Sequence, residues 1–264
     1  MLRSPLLTLG LIWTAIHPGV WLGEMRLARE GPLAAVQVVL LRLDPSAIRF
    51  SLHQATRDEG TRNAWTIDSL PDGAIAGFNA GQFSGVSPWG WLVRGGVESR
   101  PAGTGRLAMT FAIGADGVPV LLNEAERNAL ATTPLLAFQS YPALLVGNGE
   151  SPPEFASPGR GVDLAHRDSR VAIGITREGQ VIVALTRYAA LGPMAETFPY
   201  GPTVGEMSEF MRALGCRRAM LLDGGLSGQL AIRRADGTMA RWSNWRAVPL
   251  GMVVTSNPSQ IREP

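Results

Sequence analysis

The stretch of this 264-residue chain that could do chemistry runs from Arg218 to Leu230. Within it, Asp223-Gly224-Gly225-Leu226-Ser227 brings together a carboxylate, backbone N–H groups bare of side chains and a hydroxyl. A carboxylate there can face a developing positive centre, and bare N–H groups can hold an oxyanion. An ordinary Asp-Gly turn, with Asp223 bonding its own backbone, uses the same residues. Spacing alone leaves both readings open. Ser227 invites a nucleophile reading, but the hydrolase elbow Gly-x-Ser-x-Gly is broken: Gln229 stands where its last glycine belongs. The three histidines are not placed by any motif, which argues against a Ser-His-Asp triad.

Further polar groups sit where loops meet apolar runs. Asn79 and Gln82 lie in Asn79-Ala80-Gly81-Gln82-Phe83, and Gln139-Ser140 precedes Pro142-Ala143-Leu144-Leu145. Arg170 closes the stretch His166-Arg167-Asp168-Ser169-Arg170. Its guanidinium can take a phosphate through two N–H groups; a solvated loop charge is the alternative. Glu206 could act as a catalytic carboxylate, yet a helix capping box with Thr203 accounts for it. Trp89, Trp91, Trp242 and Trp245 could form a sugar-stacking platform or be core and rim residues.

Composition removes several classes of function. The 24 basic side chains are all arginine. A lysine Schiff base and a P-loop lysine are therefore excluded. One cysteine, Cys216, excludes an intrachain disulfide and a zinc site built on several thiolates. It reads as a packed small hydrophobe, and no metal site is assigned; an oxygen-bound cation such as Ca²⁺ on Asp223 and loop carbonyls stays open. Net charge is +2, with no dense basic run, so nucleic acid is not an expected partner. Hydrophobic residues make up 45% and charged residues 17%, which provides for a sizeable core. With 31 Gly and 19 Pro, turns are frequent and a strand-rich chain follows.

The elements that must position the polar groups can be read from the pattern. Val36–Leu43 and Ile48–His53 read as strands. Hairpins are expected around Ala115-Asp116-Gly117, Arg177-Glu178-Gly179 and Ala235-Asp236-Gly237. A short helix is expected over 124–131, a loop or the start of a helix over 57–62, and an exposed loop over 151–161. Thr203–Leu214 is the strongest helix: Met207, Phe210, Met211 and Leu214 form a stripe, and Gly215 can end it. That helix feeds the strand Ala219–Leu222, which ends at Asp223. Val248–Thr255 is a last strand.

Met1-Leu2-Arg3 followed by the apolar Leu6–Ile16 has the shape of a short signal peptide without a clear small-x-small cleavage site. At about 11 residues the run is too short to span a bilayer as a helix, so no stable membrane span is expected.

Four blocks, in this order, resemble the phosphodiester glycosidase family. They are Asn79-Ala80-Gly81-Gln82-Phe83 with Pro88-Trp89-Gly90-Trp91-Leu92; Gln139-Ser140-Tyr141-Pro142-Ala143-Leu144-Leu145; Arg170-Val171-Ala172-Ile173-Gly174; and Leu222–Ser227 after a helix. Arg246-Ala247-Val248-Pro249 is similar to the family's closing block. Leu226 and Ala80 stand where many members carry glycine. The resemblance divides the chain into an apolar segment, 1–12, with the character of a partial signal, a domain over 13–255 and a polar tail, 256–264. It implies an α+β fold, strand-rich, in a single domain with a mixed β-sheet and packed helices. It also implies hydrolysis of a sugar-1-phosphodiester, such as an N-acetylglucosamine phosphodiester of an envelope polysaccharide or glycolipid, in a periplasmic or cell-surface setting.

On that footing Asp223 and Arg170 are the expected catalytic residues. Asn79, Gln82, Gln139, Ser140, Gly224, Gly225, Ser227 and Arg246 are the expected substrate contacts. The competing reading is a glycan-binding or polysaccharide-assembly module without turnover, motivated by Leu226 and Ala80.

Overall fold

The computed structural model describes residues 11–28, 30–54, 65–157, 163–189 and 198–257. The expected loop or helix start at 57–62, the end of the expected loop 151–161, most of the 1–12 segment and nearly all of the tail lie outside them. Among the described residues strands take up 44% and helix 11%, a more β-dominant balance than the expected α+β class. The α-helices among the described residues are Glu124–Asn128 and Val204–Ala213.

Three sheets carry the fold. The first has seven strands in the spatial order Trp13–His17, Val20–Arg26, Val36–Leu43, Val181–Tyr188, Val171–Thr176, Cys216–Leu222 and Ala143–Leu145. The second orders Met239–Trp242, Leu230–Arg233, Ala76–Asn79, Leu250–Ser256 and Ile48–Gln54. The third orders Pro119–Leu122, Met109–Ile113, Leu136–Ser140, Leu92–Arg94 and Val97–Arg100.

All pairs among the described strands are antiparallel, which corrects the expected mixed sheet. The reason lies in one connection. The helix Val204–Ala213 joins Val181–Tyr188 to Cys216–Leu222, and these two strands run the same way. Val171–Thr176 lies between them and pairs antiparallel with both, so no parallel ladder forms.

The unbroken apolar runs in the first sheet follow from burial on both faces. Val39, Leu41, Val171, Ile173, Val183 and Leu222 join Phe78, Met252, Phe111 and Phe138 of the other sheets in one core cluster. The alternate residues Val38, Leu40, Ala172, Ala184 and Leu221 pack against Val204, Met207, Phe210 and Met211 of the helix. Thr203 caps that helix: its hydroxyl accepts from Glu206 N–H at 3.2 Å, and Glu206 accepts from Thr203 N–H at 2.9 Å.

The N-terminal hairpin departs from the sequence reading. Trp13–His17 pairs with Val20–Arg26, so Trp13–Ile16 of the signal-like run belong to a sheet. Trp13 and Trp21 hold the Arg42 guanidinium at 4.9 and 4.4 Å from their rings, which anchors this edge.

Candidate active site

Leu222 pairs with Val171 at the end of the ladder between the two central strands. One step further along the same register stand Asp223 and Arg170. Backbone pairing therefore brings together the two residues expected to be catalytic.

The chain beyond Leu222 is stitched down on both sides. Asp223 N–H donates to the Gly81 carbonyl at 2.9 Å. Asn79 Nδ2 donates to the Asp223 carbonyl at 2.7 Å, and Asn79 Oδ1 accepts from Gln229 N–H at 3.0 Å. Gly225 N–H donates to the Ser169 carbonyl at 2.8 Å, and Ser169 Oγ donates back to the Gly225 carbonyl at 3.0 Å. This close approach demands glycine: a Cβ on Gly224 would stand 2.4 Å from the Ser169 oxygen. Gly225 takes φ +54°, and a Cβ there would lie 3.1 Å from Asp168 Oδ2.

A cleft of about 290 Å³ opens here, lined among others by Gln82, Tyr141, Asp168, Arg170, Asp223 and Gly224. Arg170 is fixed by Nε donating to the Pro202 carbonyl at 3.1 Å and by Nη2 donating to the His166 carbonyl. Its loop is tied to the helix start, where Arg167 forks onto the Glu206 carboxylate at 2.8 and 2.9 Å. Glu206 is thus occupied by the capping box and by Arg167.

Burial pushes the Asp223 carboxyl up to about 6; the hydrogen bond from Ser227 and the charge of Arg246 pull it back, and Asp168 adds to the rise. Burial also raises the Asp168 carboxyl, opposed by Arg170, the Ser169 N–H and His166. Asp168 Oδ1 is buried with no hydrogen-bond partner. Burial lowers the Arg170 guanidinium below its ordinary range, opposed by Asp168 and Asp163.

The expected substrate contacts separate into two groups. Gln82 lines the cleft, its Nε2 donating to the Tyr141 carbonyl at 3.1 Å. Asn79, Gln139, Ser140 and Ser227 are buried. Gln139 Oε1 accepts from Trp91 and Gly103 N–H, both at 2.7 Å, and its Nε2 donates to Gly103. Ser140 Oγ donates to the Leu221 carbonyl. These side chains hold the walls, because a buried polar group spends its capacity on backbone partners. Arg246 is exposed, with its guanidinium 5.1 Å over the Phe83 ring. Ser227 bonds the Asp223 carboxylate, not a histidine. Asp168 is the residue that sequence reasoning passed over: the polar stretch 166–170 was visible, but nothing in it distinguishes a cleft carboxylate from a loop one.

Among the described residues no group of three or more His, Cys, Asp and Glu is placed to hold a metal ion. No described helix is long and apolar enough to cross a membrane.

The sequence pattern of the phosphodiester glycosidase family matches residues 72–255. The chain belongs to the phosphodiester glycosidase family. Its fold is similar to that of the catalytic domain of zebrafish N-acetylglucosamine-1-phosphodiester alpha-N-acetylglucosaminidase, a structure auto-inhibited by its pro-peptide. The TM-score is 0.64 at 16% identity, covering 95% of this chain and 89% of that one. A hypothetical protein of Synechocystis gives a TM-score of 0.59 at 14% identity, covering 94% of this chain and 64% of the other. A Burkholderia pseudomallei protein named for a presumed export gives 0.57 at 14% identity, covering 83% and 74%. No curated protein matches the chain by sequence. At these identities the likeness to solved structures concerns the fold. The glycosidase character is that of the family.

Proposed function

We propose that this phosphodiester glycosidase family member hydrolyses the glycosidic bond of a sugar-1-phosphodiester, with Asp223 as the base that activates water. The observation that supports this reading is the Asp223 carboxyl, pushed up to about 6 and lining the same cleft as Arg170. At neutral pH such a group is mostly ionised and is more basic than an ordinary carboxylate.

The chemistry asks for little else. A phosphate monoester is a stable leaving anion and needs no proton donor. Water adds to the anomeric carbon, the bond from that carbon to the phosphate oxygen breaks, and its electron pair leaves with the phosphate. Asp223 takes the proton and its charge stabilises the oxocarbenium-like centre. Arg170 is assigned to the phosphate charge, with Arg246 supporting it from the exposed side. Gly224 and Gly225 leave room for the sugar, and Gln82 supplies an amide at the cleft wall.

The proposed substrate is an N-acetylglucosamine-type phosphodiester from an envelope polysaccharide or glycolipid, met outside the cytoplasm. The test is turnover of an aryl phosphodiester of N-acetylglucosamine, measured beside binding of the same compound, for the wild type and for Asp223→Asn. Turnover lost in the variant with binding retained supports the reading. Tight binding without turnover in the wild type would establish the competing glycan-binding module instead.

A further inference from the structure

A second concavity, of about 630 Å³, shares no lining residue with the cleft at Asp223. One wall is the strand Ile48–Gln54, of which Ile48 to Leu52 line the groove. The other includes a row across the third sheet, where Arg94 stands opposite Leu136 and Leu136 opposite Ile113.

Ile48–Gln54 is the outermost strand of the second sheet, and among the described residues it pairs with Leu250–Ser256 alone. The register decides which backbone groups this ladder leaves over. Asn257 N–H donates to the Ala47 carbonyl at 3.0 Å, one step beyond the pair of Ile48 with Ser256. Bonded pairs alternate along an antiparallel ladder. Arg49, Ser51 and His53 therefore bond inward to Thr255, Val253 and Gly251. Ile48, Phe50 and Leu52 turn their N–H and carbonyl groups out to the groove.

A row of alternating donors and acceptors at strand spacing is matched by another extended backbone. The side chains then set what that guest strand carries. Ile48 and Leu52 are buried, and Phe50 meets Phe111 edge-on at 5.9 Å, so one face is apolar. Leu135, 50% exposed, adds to the apolar lining. A guest in register alternates in the same way, with apolar residues on that face and polar ones on the other.

Charge selects the polar residues. Arg49 and Arg94 are exposed, and neither has a carboxylate partner among the described residues. Arg94 is felt at the strand itself: after burial, its charge is what holds the His53 ring below the ordinary histidine range. Asp116, the carboxylate in the lining, is turned onto its own hairpin and accepts from Val118 N–H at 3.1 Å. A second copy of Ile48–Gln54 suits the groove poorly, because that strand contains Arg49 and His53 but no Asp or Glu.

We propose that the edge Ile48–Gln54 is a docking site for an extended acidic segment of a partner protein, which adds to the second sheet as a further strand. The segment alternates acidic with apolar residues. The site is independent of the chemistry assigned to Asp223.

The experiment follows amide hydrogen exchange by NMR on the full chain, alone and with the peptide acetyl-Glu-Val-Glu-Val-Glu-Val-Glu-amide. In the free chain the amides of Ile48, Phe50 and Leu52 should exchange fast and those of Arg49, Ser51 and His53 slowly. The peptide should slow the first three. Its affinity, read by anisotropy of a labelled copy, should fall roughly tenfold or more when lysine replaces glutamate, and likewise in Arg94→Glu at an unchanged melting temperature. Of two peptides N-methylated at alternate residues, one should lose binding by a similar factor and the other keep it, since pairing uses one edge of the guest. Four results each overturn the proposal. They are no slowing by the peptide at millimolar concentration, equal binding of the glutamate and lysine peptides, protection of the three amides already present in the free monomer, and protection that grows with protein concentration alone. The third would show the chain covering its own edge, and the fourth a second copy.

Discussion

Asn79 holds Asp223 by its backbone: the amide Nδ2 donates to the Asp223 carbonyl at 2.7 Å, while the carboxylate is bonded by Ser227 and lines the cleft. The same amide's oxygen accepts from Gln229 N–H at 3.0 Å. One buried side chain thus joins the two ends of the segment Asp223–Gln229.

Asn79→Ala should therefore hurt both stability and turnover. It orphans two backbone groups, at about 1–3 kcal/mol each. Chemical denaturation should show a loss of about 2–6 kcal/mol. At a temperature where the variant is folded, kcat should fall more than KM rises, because the carboxylate is displaced rather than removed.

Asp223→Asn keeps the shape and removes the base. Loss of proton transfer should lower kcat on the order of 10²–10⁴-fold, with an unchanged fold by circular dichroism. In the wild type, kcat/KM should rise with pH through an apparent pKa near 6, the value to which burial pushes Asp223. A flat profile between pH 5 and 8, or near-wild-type turnover in the variant, would remove Asp223 from the chemistry.

Stability should report the same group with a defined sign. The folded carboxyl titrates at about 6, above an unfolded value of about 3.9, so the fold binds this proton more tightly than the unfolded chain does. Its contribution is fully present below about pH 4 and is lost as pH rises through about 6. Asp223→Asn should therefore gain on the wild type between pH 4 and 7, on the order of 1–3 kcal/mol. Paired denaturation curves at the two pH values measure it.

Ser227→Ala removes a hydrogen bond that favours the ionised Asp223. The acid limb of the rate profile should move to higher pH, while kcat on the plateau falls much less than in Asp223→Asn. A fluorophosphonate probe should leave Ser227 unlabelled, since its side chain is buried and bonds a carboxylate. Labelling, or a dead Ser227→Ala, would restore the serine-nucleophile reading.

Much of the scaffold is legible because its signals are local. Asp116-Gly117, Glu178-Gly179 and Asp236-Gly237 mark hairpins that form, and Thr203 with Glu206 marks the helix start. Other features depend on partners far away. Trp13–Ile16 look like part of a targeting segment until Arg42 arrives beside Trp13. A helical connection suggests a parallel pair, and only the insertion of Val171–Thr176 between the joined strands prevents it. The cleft is legible at Asp223 and Arg170, which glycines and strand ends advertise. It is not legible at Asp168, nor in the burial of Gln139, whose partners Trp91 and Gly103 come from other loops.

The strand Ala76–Asn79 lies between Leu230–Arg233 and Leu250–Ser256 in the second sheet. Both of its neighbours are made long after it: Asn79 meets Gln229 across 150 residues. During synthesis this strand has neither edge covered until the last part of the domain has emerged. The cleft can then close only after translation of the whole domain, and no amino-terminal fragment can possess it. Such long-range pairing makes for slow folding. The nascent chain thus keeps apolar strand edges open for a long interval, a state in which a holding chaperone would find its binding sites.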